Sequence, residues 1–187
     1  MGDDSSAKRK KEGNFYETPK WAVEALIKRE SFEGIILEPC SGKGAISKVL
    51  ESYGYKVVSS DKSNDKNIYG ENGKDALSIC IIYDNIVTNP PYDKKELNEL
   101  IQKFQLIYKR KLALLLRLSF LESEGRREFF SSFPLKVVYV FSSRVTMHPE
   151  NEEIPQNSGT VAYAWFVWEK GFLGKTTIQW ISDKDAK

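Results

Sequence analysis

The sequence predicts an α/β fold: a mostly parallel sheet with helices on both faces and an antiparallel edge hairpin. Three observations carry that reading. Over the first two-thirds of the 187 residues, short apolar runs alternate with stretches of helical character. A glycine-bearing loop, Ser41-Gly42-Lys43-Gly44, stands between the first long apolar run and a helix-like segment. The last third is rich in β-branched and aromatic residues, which suits strands that return antiparallel.

Each element has a local reason. Thr18 reads as a helix N-cap and Pro19 as its first helical position, with Trp21, Val23, Ala25, Leu26 and Ile27 supplying apolar contacts. Gly34 breaks that helix, and Ile35-Ile36-Leu37 is a strand. Ala45 to Tyr53 reads as a helix ended by Gly54. A second strand runs from Tyr55 to Ser59, and a polar loop through Asn72 and Gly73 leads to Asp75-Ala76-Leu77. A third strand, Tyr83 to Thr88, precedes a helix from about Lys94 to Lys109. Leu112 to Leu118 is a dense apolar strand and Glu122 to Phe130 a helix. Lys136 to Ser142, Thr160 to Trp168 and a short edge strand, Thr176 to Ile181, bring the strands to seven.

Composition sets limits. An apolar share of 41% with 12% aromatics fits a globular domain and not a disordered chain. Residues 1–13 read as a disordered basic tail and 14–187 as one domain. A net charge of +2 does not announce a polyanion binder, although Lys8-Arg9-Lys10-Lys11 and the stretch from Lys103 to Lys111 are basic. Two cysteines without paired spacing, Cys40 and Cys80, argue against a disulfide scaffold or a zinc site. The single histidine, His148, has no ligand partner at motif spacing, so no metal is expected. No apolar run is long enough to span a membrane and the N-terminus is polar, which predicts a cytoplasmic protein.

The chemistry concentrates in two places. A strand, a glycine loop and a helix in that order open a Rossmann-type unit. The loop lacks the pattern of a Walker loop, and Ser47 stands where a dinucleotide fingerprint needs its third glycine. Glu38 at the end of the first strand, Asp61 after the second and Asp75 before the third are expected to share one crevice beyond the strands' carboxyl ends. A carboxylate there accepts hydrogen bonds from ribose hydroxyls or an adenine amine, or faces a cationic amine. The second place is Asn89-Pro90-Pro91-Tyr92, directly after the third strand. Two prolines fix φ twice and remove two donors, and the first pushes Asn89 toward extended backbone. The corner presents an amide, a free carbonyl at Pro90 and an aromatic ring. That set grips a planar molecule bearing an amino group.

In this order the motifs resemble the class I S-adenosylmethionine-dependent methyltransferases, and more closely the amino-methyltransferases that carry an N-P-P-Y motif. Among these, DNA adenine-N6 methyltransferases are the nearest likeness. Phe15-Tyr16-Glu17-Thr18-Pro19 resembles the motif ahead of their cofactor loop, and Leu37-Glu38-Pro39-Cys40-Ser41-Gly42-Lys43-Gly44 resembles that loop. The resemblance covers roughly residues 15 to 170 by motif order. It implies a Rossmann-like seven-stranded sheet and S-adenosylmethionine as cofactor. Tyr16 would then be among the cofactor-binding residues, Thr18 would lie near the methionine carboxylate, and Glu38, Cys40 and Gly42 would hold the methionine portion. Asp61 would take the ribose, and Asp75 with Ala76 the adenine. Asn89, Pro90 and Tyr92 would be catalytic, Asn89 also beside the cofactor, with Pro91, Tyr92 and Phe141 on the substrate and Tyr139 as the alternative to Phe141.

DNA is the favoured acceptor, with RNA bases or a protein glutamine as alternatives and a non-catalytic nucleic-acid binding module as a third reading. Related DNA enzymes usually carry a target-recognition domain after the catalytic fold, and none is legible here. A separate partner supplying recognition is compatible with that. The segment from Arg144 to Gly159 reads as a substrate loop whose acids, Glu150, Glu152 and Glu153, would repel phosphates. A nicotinamide-dependent enzyme is disfavoured, because nothing in it explains the proline corner.

Overall fold

The computed structural model describes residues 16–122, 124–145, 148–149 and 161–186. The expected tail at residues 1–13 and most of the segment read as a substrate loop lie outside the described residues. In chain order the elements are β1 (Tyr16–Glu17), α1 (Lys20–Ile27), β2 (Ile35–Glu38), α2 (Ala45–Ser52), β3 (Lys56–Ser59), β4 (Tyr83–Thr88), α3 (Lys94–Ile107), β5 (Tyr108–Arg117), α4 (Glu124–Ser132), β6 (Val137–Phe141), β7 (His148–Pro149), β8 (Tyr163–Glu169) and β9 (Thr177–Ile181).

Seven strands form one sheet in the order β3-β2-β4-β5-β8-β6-β9. Parallel pairing runs from β3 through β5. β8 lies antiparallel to both β5 and β6, and β9 joins β6 in parallel at the edge. The antiparallel pair expected at one end is therefore β6 with β8, one strand in from the margin. β8 enters the sheet between its two predecessors, so it is sealed on both sides. Trp165 and Trp168 on it are fully buried.

Each face of the sheet has its own core. On one, Val23, Ala25 and Leu26 of α1 and Ile46, Val49 and Leu50 of α2 pack against Ile36, Val87, Leu115 and Trp165. On the other, Leu97, Leu100, Ile101 and Phe104 of α3 pack against Ile86, Leu112, Leu114 and Phe166, with Phe129 of α4 and Phe133 just after it beside them. The apolar residues of α3 recur at i, i+3, i+4 and i+7, which places one stripe against the sheet. Asp93 caps this helix by accepting from the N–H groups of Lys95 and Glu96.

The structure alters two local expectations. β5 starts at Tyr108, immediately after α3, and not at Leu112. Its polar first turn is held by ion pairs, Arg110 to Glu33 at 2.7 Å and Lys111 to the buried Glu30 at 2.5 Å. Thr18 is not a helix cap. Pro19 occupies the cap position, and no side chain there bonds the helix N-terminus. The Thr18 hydroxyl is used elsewhere, as the next section describes. No helix among the described residues is long and apolar enough to cross a membrane.

Candidate active site

A cleft of about 810 Å³ opens beyond the carboxyl ends of β2, β3, β4 and β5. Its lining includes Thr18, Glu38, Cys40, Gly42, Asp61, Asp75, Ala76, Asn89, Pro90, Pro91 and Tyr92. Eleven residues singled out from the sequence thus meet in one cavity, although they come from five separate segments. The topology explains the meeting. Parallel strands end at the same rim, so the loops that follow them converge.

At the glycine loop the acids shape the backbone. Glu38 is buried and its Oε2 accepts from the Ser47 backbone N–H at 2.8 Å and from the Ser47 hydroxyl. It thereby satisfies an N–H in the first turn of α2. Burial pushes its carboxyl pKa up to about 8 despite those hydrogen bonds, with Asp61 and Glu51 adding to the rise. Asp61 accepts from the Gly42 N–H at 3.0 Å with one oxygen and from the Ser63 N–H at 2.9 Å with the other. Asp75 starts a 3-10 turn by accepting from the Leu77 N–H at 2.9 Å. Gly44 sits at φ +84°, and a Cβ there would lie 2.5 Å from the Tyr69 ring. Only glycine lets the loop pass beneath Tyr69, whose N–H bonds the Gly42 carbonyl at 2.9 Å.

Cys40 lines the cleft, but burial and the nearby Asp61 carboxylate push its thiol upward, away from the reactive thiolate.

At the proline corner side chains bond one another. Asn89 Nδ2 donates to Thr18 Oγ1 at 3.2 Å. Asn89 Oδ1 accepts from the Tyr92 hydroxyl. The Tyr92 ring lies 5.6 Å from that of Tyr163, tilted by 43°, and the Arg117 guanidinium stands 5.1 Å from its centre. Burial and Tyr163 raise the Tyr92 hydroxyl well above the usual tyrosine value, so it stays a proton donor. Across the mouth, Lys62 after β3 pairs with Glu96 on α3.

Two of the residues expected on the substrate lie elsewhere. Phe141 does not line the cleft; its ring stands edge-on to Trp21 at 5.3 Å, on the face covered by α1. Its alternative, Tyr139, donates its hydroxyl to the buried Glu30 at 2.8 Å. Both are on β6, which β5 and β8 separate from β4 and its corner. Among the described residues an aromatic that does reach Tyr92 is Tyr163, the first residue of β8. Because β8 runs antiparallel, its start lies at the same rim as the ends of its parallel neighbours, and Tyr163 faces Arg117 in the register. The Tyr16 side chain lies outside the described residues, while its backbone pairs with Pro149.

Lys62, Glu96, Arg117 and Tyr163 escaped the sequence reading. One signal was available for Arg117: a cation that ends the unbroken apolar run Leu112–Leu116 marks where a strand reaches a rim.

No protein-family model matches the chain, and neither does any curated protein. Solved structures do. A proposed modification subunit of a type I restriction enzyme from Vibrio vulnificus YJ016 superposes with a TM-score of 0.60 at 14% identity, over 95% of this chain and 49% of that one. The fold is that of the class I methyltransferases. A proposed RNA methyltransferase from Pyrococcus horikoshii matches with a TM-score of 0.62 at 14% identity, over 84% of this chain and 88% of the other. Magnesium protoporphyrin IX methyltransferase from Synechocystis PCC 6803, with S-adenosylmethionine bound, matches with a TM-score of 0.53 at 14% identity, over 79% and 75%. The chain spans about half the length of the Vibrio protein. The two methyltransferases differ in acceptor, RNA for one and magnesium protoporphyrin IX for the other, so what they share with this chain is the fold.

Proposed function

We propose that this chain transfers a methyl group from S-adenosylmethionine to an exocyclic amine, with N6 of adenine in DNA as the favoured acceptor. The observation that carries the reading is Asn89, whose amide stands in the same cleft as the glycine loop and its acids.

The residues of the cleft fit the cofactor. Carboxylates at Asp61 and Asp75 suit hydroxyl and amine donors, and Ile46, Ala76 and Leu77 offer an apolar wall for a purine. Bound there, S-adenosylmethionine supplies an electrophilic methyl carbon on a cationic sulfur. The chain's contribution is positioning. Asn89 Oδ1 and the Pro90 carbonyl are two acceptors for the hydrogens of an incoming amine, and the double proline limits how the backbone that carries them can turn. Accepting both hydrogens favours a pyramidal nitrogen with its lone pair directed away from the corner. Thr18 holds the Asn89 amide in orientation from the opposite side. Tyr92, backed by Tyr163 and Arg117, presents its ring to a planar acceptor. An arrangement of this kind lowers the barrier through orientation and fixed dipoles. A base within duplex DNA would first have to leave the stack, at about a few kcal/mol.

One observation favours a protein glutamine over a nucleic acid. The lining holds seven acidic and four cationic side chains, so a phosphate backbone gains little inside the cleft. A nucleic acid would need contacts outside it, or a partner that supplies them.

Labelled S-adenosylmethionine, incubated with the purified chain and in turn with unmethylated DNA, RNA and a glutamine-bearing protein, separates these readings. Label recovered as N6-methyladenine in DNA is the expected result. Label in RNA or protein moves the acceptor. Cofactor binding by calorimetry without transfer to any of the three removes the enzymatic reading.

A further inference from the structure

β9 is the margin of the sheet, hydrogen-bonded to β6 on one side only among the described residues. Natural edge strands are usually blunted by charge, proline, a bulge or a covering element. Thr177-Ile178-Gln179-Trp180-Ile181 has no charge and no proline. Ile178 is 53% exposed and Trp180 65% exposed. Both pair in register with Val138 and Val140 of β6, so they extend the apolar face that α3 and α4 cover further in. Such a strip, beside open backbone donors and acceptors, needs a partner.

The strand is complementary to itself. The Thr177 N–H bonds the Lys136 carbonyl at 3.1 Å, and the Ile181 carbonyl accepts from Ser142 at 2.9 Å. Odd-numbered residues therefore serve β6, and the N–H and C=O of Ile178 and Trp180 point outward. An antiparallel copy, related by a two-fold axis through Gln179, places Ile178 opposite the second copy's Trp180. Residues directly opposite in such a register exchange both backbone bonds, and here they are the two whose outward groups meet no other strand among the described residues. The same register sets each Ile178 side chain against a Trp180 on one face, a favourable cross-strand pair. It also brings the basic end at Lys175 toward the acidic end at Asp183 of the other copy, so the charges match.

We propose that the chain self-associates through β9 into a two-fold dimer with one sheet continuous across both copies. The contact is isologous and closes on itself, leaving no further free margin at this edge.

Sedimentation of the full chain, from low micromolar to about 0.2 mM, tests this at a range suited to a single-strand interface. The expected result is a species of twice the 21.4 kDa chain mass. Ile178→Pro removes an outward donor and leaves β6 pairing untouched, and Trp180→Lys sets like charges across the dyad. Each should shift the protein to the single-chain mass while the circular dichroism spectrum and melting midpoint stay close to those of the parent. Lys175→Glu should weaken association, and adding Asp183→Lys should restore it. A monomer throughout the range overturns the proposal. So does a dimer that both Ile178→Pro and Trp180→Lys leave intact. Hydrogen exchange that protects the Ile178 and Trp180 amides in a monomer overturns it too, since another part of the same chain would then cover the edge.

Discussion

The two halves of the cleft are built by different means. On the glycine-loop side, carboxylates bond backbone N–H groups: Glu38 to Ser47, Asp61 to Gly42 and Ser63, Asp75 to Leu77. At the proline corner, side chains from four segments bond or stack on one another: Thr18, Asn89 with Tyr92, Arg117 and Tyr163. The first half is a shaped backbone whose acids are partly structural. The second is an array of side chains that can rearrange when a ligand arrives. Substitutions should therefore separate cofactor binding from transfer.

The sharpest division is expected at Asn89→Ala. It deletes an acceptor that the proposed transfer step uses, in the part of the cleft that shapes no backbone. Methyl transfer should fall by about 10²- to 10³-fold, the scale of losing one oriented polar group at a reacting centre. Cofactor affinity, read by calorimetry, should change by less than about threefold. If affinity collapses in step with transfer, the two halves are one unit and the comparison fails.

Asp61→Asn tests the opposite half. The Gly42 and Ser63 N–H groups go to different oxygens of Asp61, and an amide replaces one of those oxygens by an NH2 donor, so one of the two bonds is lost. A hydrogen bond to a charged group contributes about 1.5–3 kcal/mol, and its loss predicts cofactor binding weakened by about 10- to 100-fold. Saturating cofactor should then recover most of the rate. A rate that stays low at saturation would give Asp61 a part in the transfer step itself.

Much of this was legible in the sequence, for reasons that can be named. The strands β2, β4 and β5, the glycine turn and the proline corner are written in consecutive residues, and parallel strands oblige their loops to meet. Local patterns do not encode which strands become neighbours. Phe141 was a reasonable aromatic at a strand end, yet β8 inserts between β5 and β6, carries β6 away from the corner and delivers Tyr163 in its place. Thr18 misled for a related reason. Its hydroxyl suits a helix cap, but a partner 71 residues away claims it.

Glu38 gives the glycine-loop half a pH signature. Its carboxyl in the folded chain titrates near 8, above its ordinary 4.5. The folded form therefore holds a proton that the unfolded form releases between those values. The stability it contributes is complete below about 4.5 and is lost as the pH rises through 8. Glu38→Gln cannot ionise, so its melting midpoint relative to the parent should climb by several degrees between pH 5 and pH 8.5. A difference that stays flat over that range means Glu38 is ionised in the folded chain throughout.

The smallest effect is expected from Tyr92→Phe, which tests how the corner's own side chains share Asn89. The substitution removes the hydroxyl that donates to Asn89 Oδ1 and keeps the ring near Tyr163 and Arg117. A carbonyl oxygen has two lone pairs, so the hydroxyl and an acceptor amine can be served together. The hydroxyl then orients the amide, and the Nδ2 bond to Thr18 remains to do the same work. Transfer should drop less than about tenfold, whereas Tyr92→Ala, which also removes the stacking surface, should cost more. A rise in rate with Tyr92→Phe would reveal that the hydroxyl competes with the amine for Oδ1. A fall as deep as that of Asn89→Ala would mean that Thr18 alone cannot hold the amide, and the array would then be as rigid as the loop across the cleft.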